Sequence, residues 1–243
     1  MTESADFTWT VVMPVKVLGQ AKSRLASLAG PRRPDLALAF ASDTVSAVMD
    51  CPVVARVLVV TSDAQAGPAL SSLGALTEPD PVFIRPDASQ PESTVRAPGT
   101  GEGALNAALA HGAAVAARRW PGGGIAALTA DLPALRPAEL GRALSAAAET
   151  ARLGGPASSF VPDAAYVGTT MYAVAPWGMF APGFGGASRM RHAAGGASEL
   201  LLPGIPGLRR DVDTPDDLRE AVALGTGWRT AALAGELLAA GTS

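Results

Sequence analysis

The sequence predicts a three-layer, Rossmann-like α/β fold built on a mostly parallel sheet with an antiparallel portion. Three observations predict it. Short β-branched runs alternate with Ala-rich amphipathic stretches in a β-α-β-α rhythm. The runs are continuously apolar rather than alternating, as in strands buried on both faces. Two late runs are joined by a turn too short for a crossover helix, which calls for antiparallel pairing.

Taken in order, Thr8–Pro14 (TWTVVMP) reads as the first buried strand and Pro34–Met49 as a helix with Asp35 in its acidic first turn. Ala55–Thr61 (ARVLVVT) is the second strand, followed by a weaker helix interrupted by Pro68. Val82–Arg85 reads as a short third strand. Gly103–Arg119 is a helix, Ile125–Thr129 a strand, and Pro137–Arg152 a helix with proline at its first position. Ser158–Val161 and Thr169–Val174 are the two strands joined by the short turn. Leu208–Val212 reads as a final strand, before helices over Pro215–Leu224 and Thr230–Ala240. The Pro/Ser/Gly-rich stretch Pro86–Glu102 lacks periodicity and reads either as a mobile loop, a lid, or as an inserted surface loop without a role.

Composition narrows the class. The chain has 243 residues, 48% of them hydrophobic and 5% aromatic, so a sizeable core of Ala, Val and Leu in one domain over residues 1–243 is expected. The net charge is -3 and there is no long Lys/Arg run, which argues against nucleic acid as a partner. No stretch has the apolar length of a membrane span. Cys51 is the lone cysteine, so no internal disulfide and no zinc cluster is expected. The polar start Met1–Phe7 is unlike a signal peptide, and the reducing cytosol is the simplest compartment.

Five features carry candidate chemistry. Pro14-Val15-Lys16 and then Lys22-Ser23-Arg24-Leu25 follow the first strand. Ligands of open α/β sheets lie beyond the carboxyl ends of strands, where three cations suit a triphosphate. A solvated basic loop accounts for the same residues equally well, and no P-loop motif is present. Thr129-Ala130-Asp131-Leu132-Pro133 closes a strand with a carboxylate suited to a hard cation such as Mg²⁺. A turn cap is the alternative for Asp131, although a cap would normally lie nearer the next helix.

In Asp211-Val212-Asp213-Thr214-Pro215-Asp216-Asp217, a helix start explains Asp216 and Asp217. Asp213 lies outside the helix, and a second metal carboxylate and a plain surface acid are equally open for it. Gly168-Thr169-Thr170 and Phe184-Gly185-Gly186-Ala187-Ser188-Arg189-Met190-Arg191-His192 combine small residues with positive charge, and Ser188 is placed to cap a short helix. Ordinary turns explain the glycines alone. Asn106, early in a helix, suits a nucleotide hydroxyl or phosphate; helix capping is the alternative.

Taken together, VMPVKVLGQAKSRLA, LNAAL, LTADLPAL, FVPDAAYVGTTMYAV, FGGASRMRHAAGGA and LRRDVDTPDDLREAVALG resemble the 2-phospho-L-lactate or phosphoenolpyruvate guanylyltransferases of coenzyme F-420 biosynthesis. The matches run in order from Val12 to Gly225. The resemblance implies a nucleotide-diphospho-sugar-transferase type of fold, GTP as donor and Mg²⁺ as cofactor. The acceptor would be phosphoenolpyruvate, 2-phospho-L-lactate or 3-phosphoglycerate. It implies an acceptor site at Thr170, Gly185 and Ser188, metal ligands at Asp131 and Asp213, and nucleotide contacts from Pro14, Lys16, Lys22, Arg24 and Asn106. Lys16, Lys22, Arg24 and Asp131 are the expected catalytic set. The chain departs from the family at Tyr166-Val167-Gly168-Thr169-Thr170, where GTGTT is common, and at Phe184-Gly185-Gly186-Ala187-Ser188, where FGPGS is common. Molybdopterin guanylyltransferases and sugar-phosphate cytidylyltransferases are the runner-up enzymes, although they commonly carry a Gly-rich loop where this chain has only Gly19. A catalytically silent nucleotide-binding module is the third reading.

Overall fold

The computed structural model describes residues 7–81 and 101–240. A seven-stranded sheet runs through them in the order β3-β2-β1-β4-β6-β5-β7. In chain order the strands are β1 (Trp9–Pro14), β2 (Val54–Val60), β3 (Leu76–Glu78), β4 (Gly124–Leu128), β5 (Ser158–Pro162), β6 (Thr169–Val174) and β7 (Ser198–Glu199). β1 lies between β2 and β4, parallel to both, and β2 pairs parallel with β3. β6 runs antiparallel to both neighbours, β4 and β5, while β5 and β7 pair parallel. One strand is thus reversed in an otherwise parallel sheet, as the short β5–β6 turn requires.

The helices are α1 (Ala26–Ala29), α2 (Arg33–Met49), α3 (Ala66–Ser71), α4 (Glu102–Arg119), α5 (Pro137–Arg152), α6 (Ser188–Ala194), α7 (Pro206–Arg209), α8 (Pro215–Leu224) and α9 (Trp228–Ala240). Side chains alternate along each strand, so one sheet supplies two cores. Val11, Met13, Leu128 and Met171 face α2, α3 and α5, where Ala41, Val45, Leu70, Leu140 and Leu144 meet them. Val12, Val60, Ala127 and Tyr172 face α4, against Ala108 and Leu109. α4 comes close because Gly112 has no side chain. A Cβ there would lie 2.5 Å from Val12 and 2.8 Å from Val60. A third cluster joins Leu36 and Phe40 of α2 to α8 and α9. Residues four apart on α2 share a face, so Leu36 and Phe40 fall in this cluster while Ala37, Ala41 and Val45 fall in the first.

Differences from the sequence reading have local causes. The strand expected over Leu208–Val212 is instead the helix α7 and an irregular segment. The buried Glu139 carboxylate of α5 accepts from the N–H of Gly207 (3.3 Å) and Leu208 (2.9 Å), holding Pro206–Arg209 as one helical turn. Pro68 lies in the first turn of α3, where its missing N–H costs nothing, so it opens that helix rather than interrupting it. Edge strands β3 and β7, of 3 and 2 residues, are too short to show a period. Val82–Arg85 and most of the Pro86–Glu102 segment lie outside the described residues, and Glu102 is the first residue of α4. Among the described residues, no helix is long and apolar enough to cross a membrane.

Candidate active site

The carboxyl ends of β1 and β4 deliver the basic loop and Asp131 to one edge of the sheet, where β6, the reversed strand, begins. After β1, Val15 donates its N–H to Val60 O (2.9 Å) and the chain turns into two short 3₁₀ turns. Asp63, beyond β2, fastens this loop: its carboxylate accepts from Leu18 N (2.9 Å) as well as from Gln65 N and Ala66 N. Burial opposes its ionisation, but these N–H groups hold its pKa below the ordinary aspartate value.

Lys22 lies between the turns with φ 54, a left-handed conformation uncommon for a residue with a side chain. Its ammonium bonds Asp131 Oδ2 and Asp213 Oδ1, the latter at 2.7 Å. Burial disfavours the lysine charge, but the two carboxylates outweigh it and hold the pKa above the usual value. A backbone bond from Val212 N to Asp131 O (3.1 Å) holds the two acidic segments side by side. From α2, Thr44 steadies the turn by accepting from Leu132 N (3.1 Å).

Asp213 is held ionised. Burial pushes its pKa up, and Lys22, followed by Arg24 and Lys16, brings it below the ordinary range. Both exposed cations of the basic loop therefore act on the same carboxylate. Asp211, not singled out in the sequence, is a third acid of this cluster. Burial, then Asp131 and Asp213, push its pKa up to about 7. The signal for it was present in the alternation Asp211-Val212-Asp213, whose buried Val212 puts both aspartates on the other side of the chain. Asp217 and Thr214 form a capping box on α8, and Asp216 pairs with Arg219, so the helix start explains both of these acids. Asp213 is left to Lys22.

The second half of the site is a glycine loop beside β6. Thr170 and Ser188 are each 1% exposed, and Gly185 adopts φ +100. Ser188 begins α6, whose cap is Ala187 without a side-chain bond, so the capping role expected for Ser188 is not found. Three side chains grip the loop backbone instead. Asn106 of α4 accepts from Phe184 N (2.9 Å) and donates to Phe184 O (2.9 Å), with a second donation to Glu102 O. Arg191 donates to the carbonyls of Gly183 and Gly185 and pairs with Glu102 (3.0 Å). His192 accepts from Gly183 N (2.9 Å) at Nε2 and meets Thr169 Oγ1 (3.0 Å) at Nδ1. It is stacked on Tyr172 at 4.6 Å.

Burial, and secondarily Arg191, lower the His192 pKa to about 4, so it is neutral and adds no positive charge near neutral pH. Arg189 is likewise neutralised, by a two-pronged pair with Glu199. The expected basic character of this segment is therefore spent on structure. Asn106, too, has its amide oxygen and nitrogen occupied by protein partners.

No protein-family model matches the chain. Individual relatives match almost end to end. A phosphoenolpyruvate guanylyltransferase of Thermomonospora curvata is 54% identical over 97% of this chain and 92% of its own length. One from Streptomyces coelicolor is 53% identical over 96% and 99%. The chain belongs to the phosphoenolpyruvate guanylyltransferase family.

Solved structures agree on the fold of this guanylyltransferase family member. A nucleotide-diphospho-sugar transferase from Desulfovibrio desulfuricans superposes with a TM-score of 0.54 at 13% identity, covering 89% of this chain and 96% of its own. A nucleotidyl transferase from Methanothermobacter thermautotrophicus gives 0.53 at 19%, covering 90% and 97%. The chain is a nucleotidyltransferase by family, on the fold these structures share. The acid–lysine cluster and the glycine loop flank the start of β6, with Thr129 N bonded to Thr170 O (3.1 Å) between them.

Proposed function

We propose that the chain transfers GMP from GTP to phosphoenolpyruvate with release of pyrophosphate, as a step toward coenzyme F-420. The observation that carries this reading is the convergence of Lys22, Asp131 and Asp213 at the sheet edge, in a chain so similar to proteins bearing that name. In this reading Lys16, Lys22 and Arg24, with the backbone after Pro14, take the GTP phosphates. Thr170, Gly185 and Ser188 take the acceptor.

The donor set suits a hard cation. Asp131 offers a buried Oδ1 without a hydrogen-bond partner among the described residues, and carboxylate oxygens are the ligands Mg²⁺ takes. Among the described residues no three acidic, His or Cys side chains form a metal cage on their own. Mg²⁺ suits such a site because it usually binds one or two carboxylates and completes its shell with phosphates and water. Asp131 and Asp213 would hold it, with Asp211 beside them, and it would neutralise phosphate charge as transfer proceeds.

The acceptor phosphate oxygen forms a bond to the α-phosphorus while the bond to the β-phosphate oxygen breaks, and pyrophosphate leaves with that electron pair. The attacking oxygen is already anionic at neutral pH, so no general base is required. The protein's task is positioning and charge neutralisation. Pyrophosphate release should be measured with four nucleoside triphosphates against phosphoenolpyruvate, 2-phospho-L-lactate and 3-phosphoglycerate, with and without Mg²⁺. GTP with phosphoenolpyruvate and Mg²⁺ is expected to be fastest. GTP binding without pyrophosphate release from any acceptor would overturn the reading in favour of a silent binding module.

A further inference from the structure

The sheet face that carries Thr170 also carries a hydroxyl to which no role has been given. Thr129 continues the β4 ladder past Leu128 by donating its N–H to Thr170 O (3.1 Å). The paired register ends at Leu128↔Met171, and this one bond carries Thr129 on alongside Thr170. Leu128 and Met171 point into the core under α2 and α5, whereas Ala127 and Tyr172 point toward α4. Counted on from Ala127 and Tyr172, Thr129 and Thr170 both fall on the α4 side at the strand ends, where β6 also shifts register against β5 between Val161 and Pro162.

Both Oγ1 atoms are buried, and neither has a hydrogen-bond partner among the described residues. Asp131 Oδ1, two residues on from Thr129, shares that condition. Buried hydroxyls almost always find partners, and a strand-end threonine readily bonds a nearby carbonyl. Two orphaned hydroxyls on neighbouring strand ends are arranged to be satisfied by something that enters. The Gly183–Ser188 loop on this same face limits what can enter, because its backbone is already tied down by Asn106, Arg191 and His192.

We propose that Thr129 is a second hydroxyl contact to the acceptor, donating with Thr170 to one oxyanion of that molecule. The proposal rests on the acceptor reading of Thr170 and Ser188. Two donors on neighbouring strand ends can grip two oxygens of one phosphate or carboxylate, which fixes the acceptor's orientation before transfer. Thr129 thereby acts on the acceptor side, although it is joined in sequence to Asp131.

Thr129→Val keeps the shape and the β-branch while deleting the hydroxyl. The acceptor KM should rise about ten- to a hundredfold, the worth of a hydrogen bond to a charged group, with the GTP KM unchanged within about twofold. Thr129→Ser should restore most of the loss. The melting temperature of the free Thr129→Val protein should hold or rise, since an unsatisfied buried hydroxyl is removed. An unchanged acceptor KM, or an equal rise in both KM values, would overturn the proposal, as would a fall in melting temperature without a KM effect. Thr170→Val and Ser188→Ala separate the two levels. If they raise the acceptor KM and Thr129→Val does not, Thr129 alone is misassigned; if none of the three does, the acceptor reading itself fails.

Discussion

The acid–lysine cluster and the glycine loop are held in opposite ways. In the cluster, the candidate side chains hold one another: Lys22 spans Asp131 and Asp213, and the pKa of a third acid, Asp211, is pushed up to about 7 by burial and by its neighbours. In the loop, side chains hold backbone: Asn106, Arg191 and His192 bind the peptide groups of Gly183–Gly185. The first arrangement concentrates charge. The second is neutral, short-ranged and fixed in shape. A transferase that brings together two polyanions needs both, one region to screen charge and one to set direction.

That contrast yields graded predictions. Asp131→Asn should have the largest effect, cutting kcat by about a thousandfold or more through the loss of charge stabilisation, with the circular dichroism spectrum unchanged. Near-normal pyrophosphate release by this variant would remove the cluster from the chemistry. Gly185→Ala comes next. A Cβ at φ +100 is strained and would run into the Glu102 side chain, so kcat/KM for the acceptor should fall about a hundredfold. Steady-state kinetics with saturating GTP would check this.

Asn106→Ala sharpens the comparison. Losing both bonds to Phe184 should raise the acceptor KM about tenfold and spare the GTP KM. A larger effect on GTP would return Asn106 to the nucleotide contact expected from its sequence. The smallest effect concerns His192. Its folded pKa of about 4 lies below the ordinary histidine value, so the neutral ring's contribution is complete above about pH 6.5 and is lost as pH falls toward 4. Thermal melts of the wild type and His192→Gln should therefore converge as pH is lowered from 7.5 to 5. A gap that widens on acidification would mean that His192 is charged in the folded protein.

Where the sequence reading succeeded and failed follows from the range of the interactions. The reversed strand β6 was legible because a six-residue gap between Pro162 and Thr169 admits no crossover helix. α5 and α8 were legible because Pro137 and Pro215 mark helix starts, and Thr214 and Asp217 complete a local box. α7 was not, because the carboxylate that makes it a helical turn is Glu139, 68 residues upstream of Gly207. The bonds of Asn106 were not legible for the same reason: its partner, Phe184, is 78 residues away.

By itself, the sequence determined the central strands, the main helices and the positions of the acids and cations at strand ends, since these depend on local periodicity, caps and turn lengths. Only the tertiary structure decided what those groups meet. Lys22 reaches carboxylates 109 and 191 residues along the chain, and Thr129 donates its N–H to Thr170 O on the neighbouring strand. Such pairings depend on strand order and register, which are settled when the whole sheet closes around its two cores.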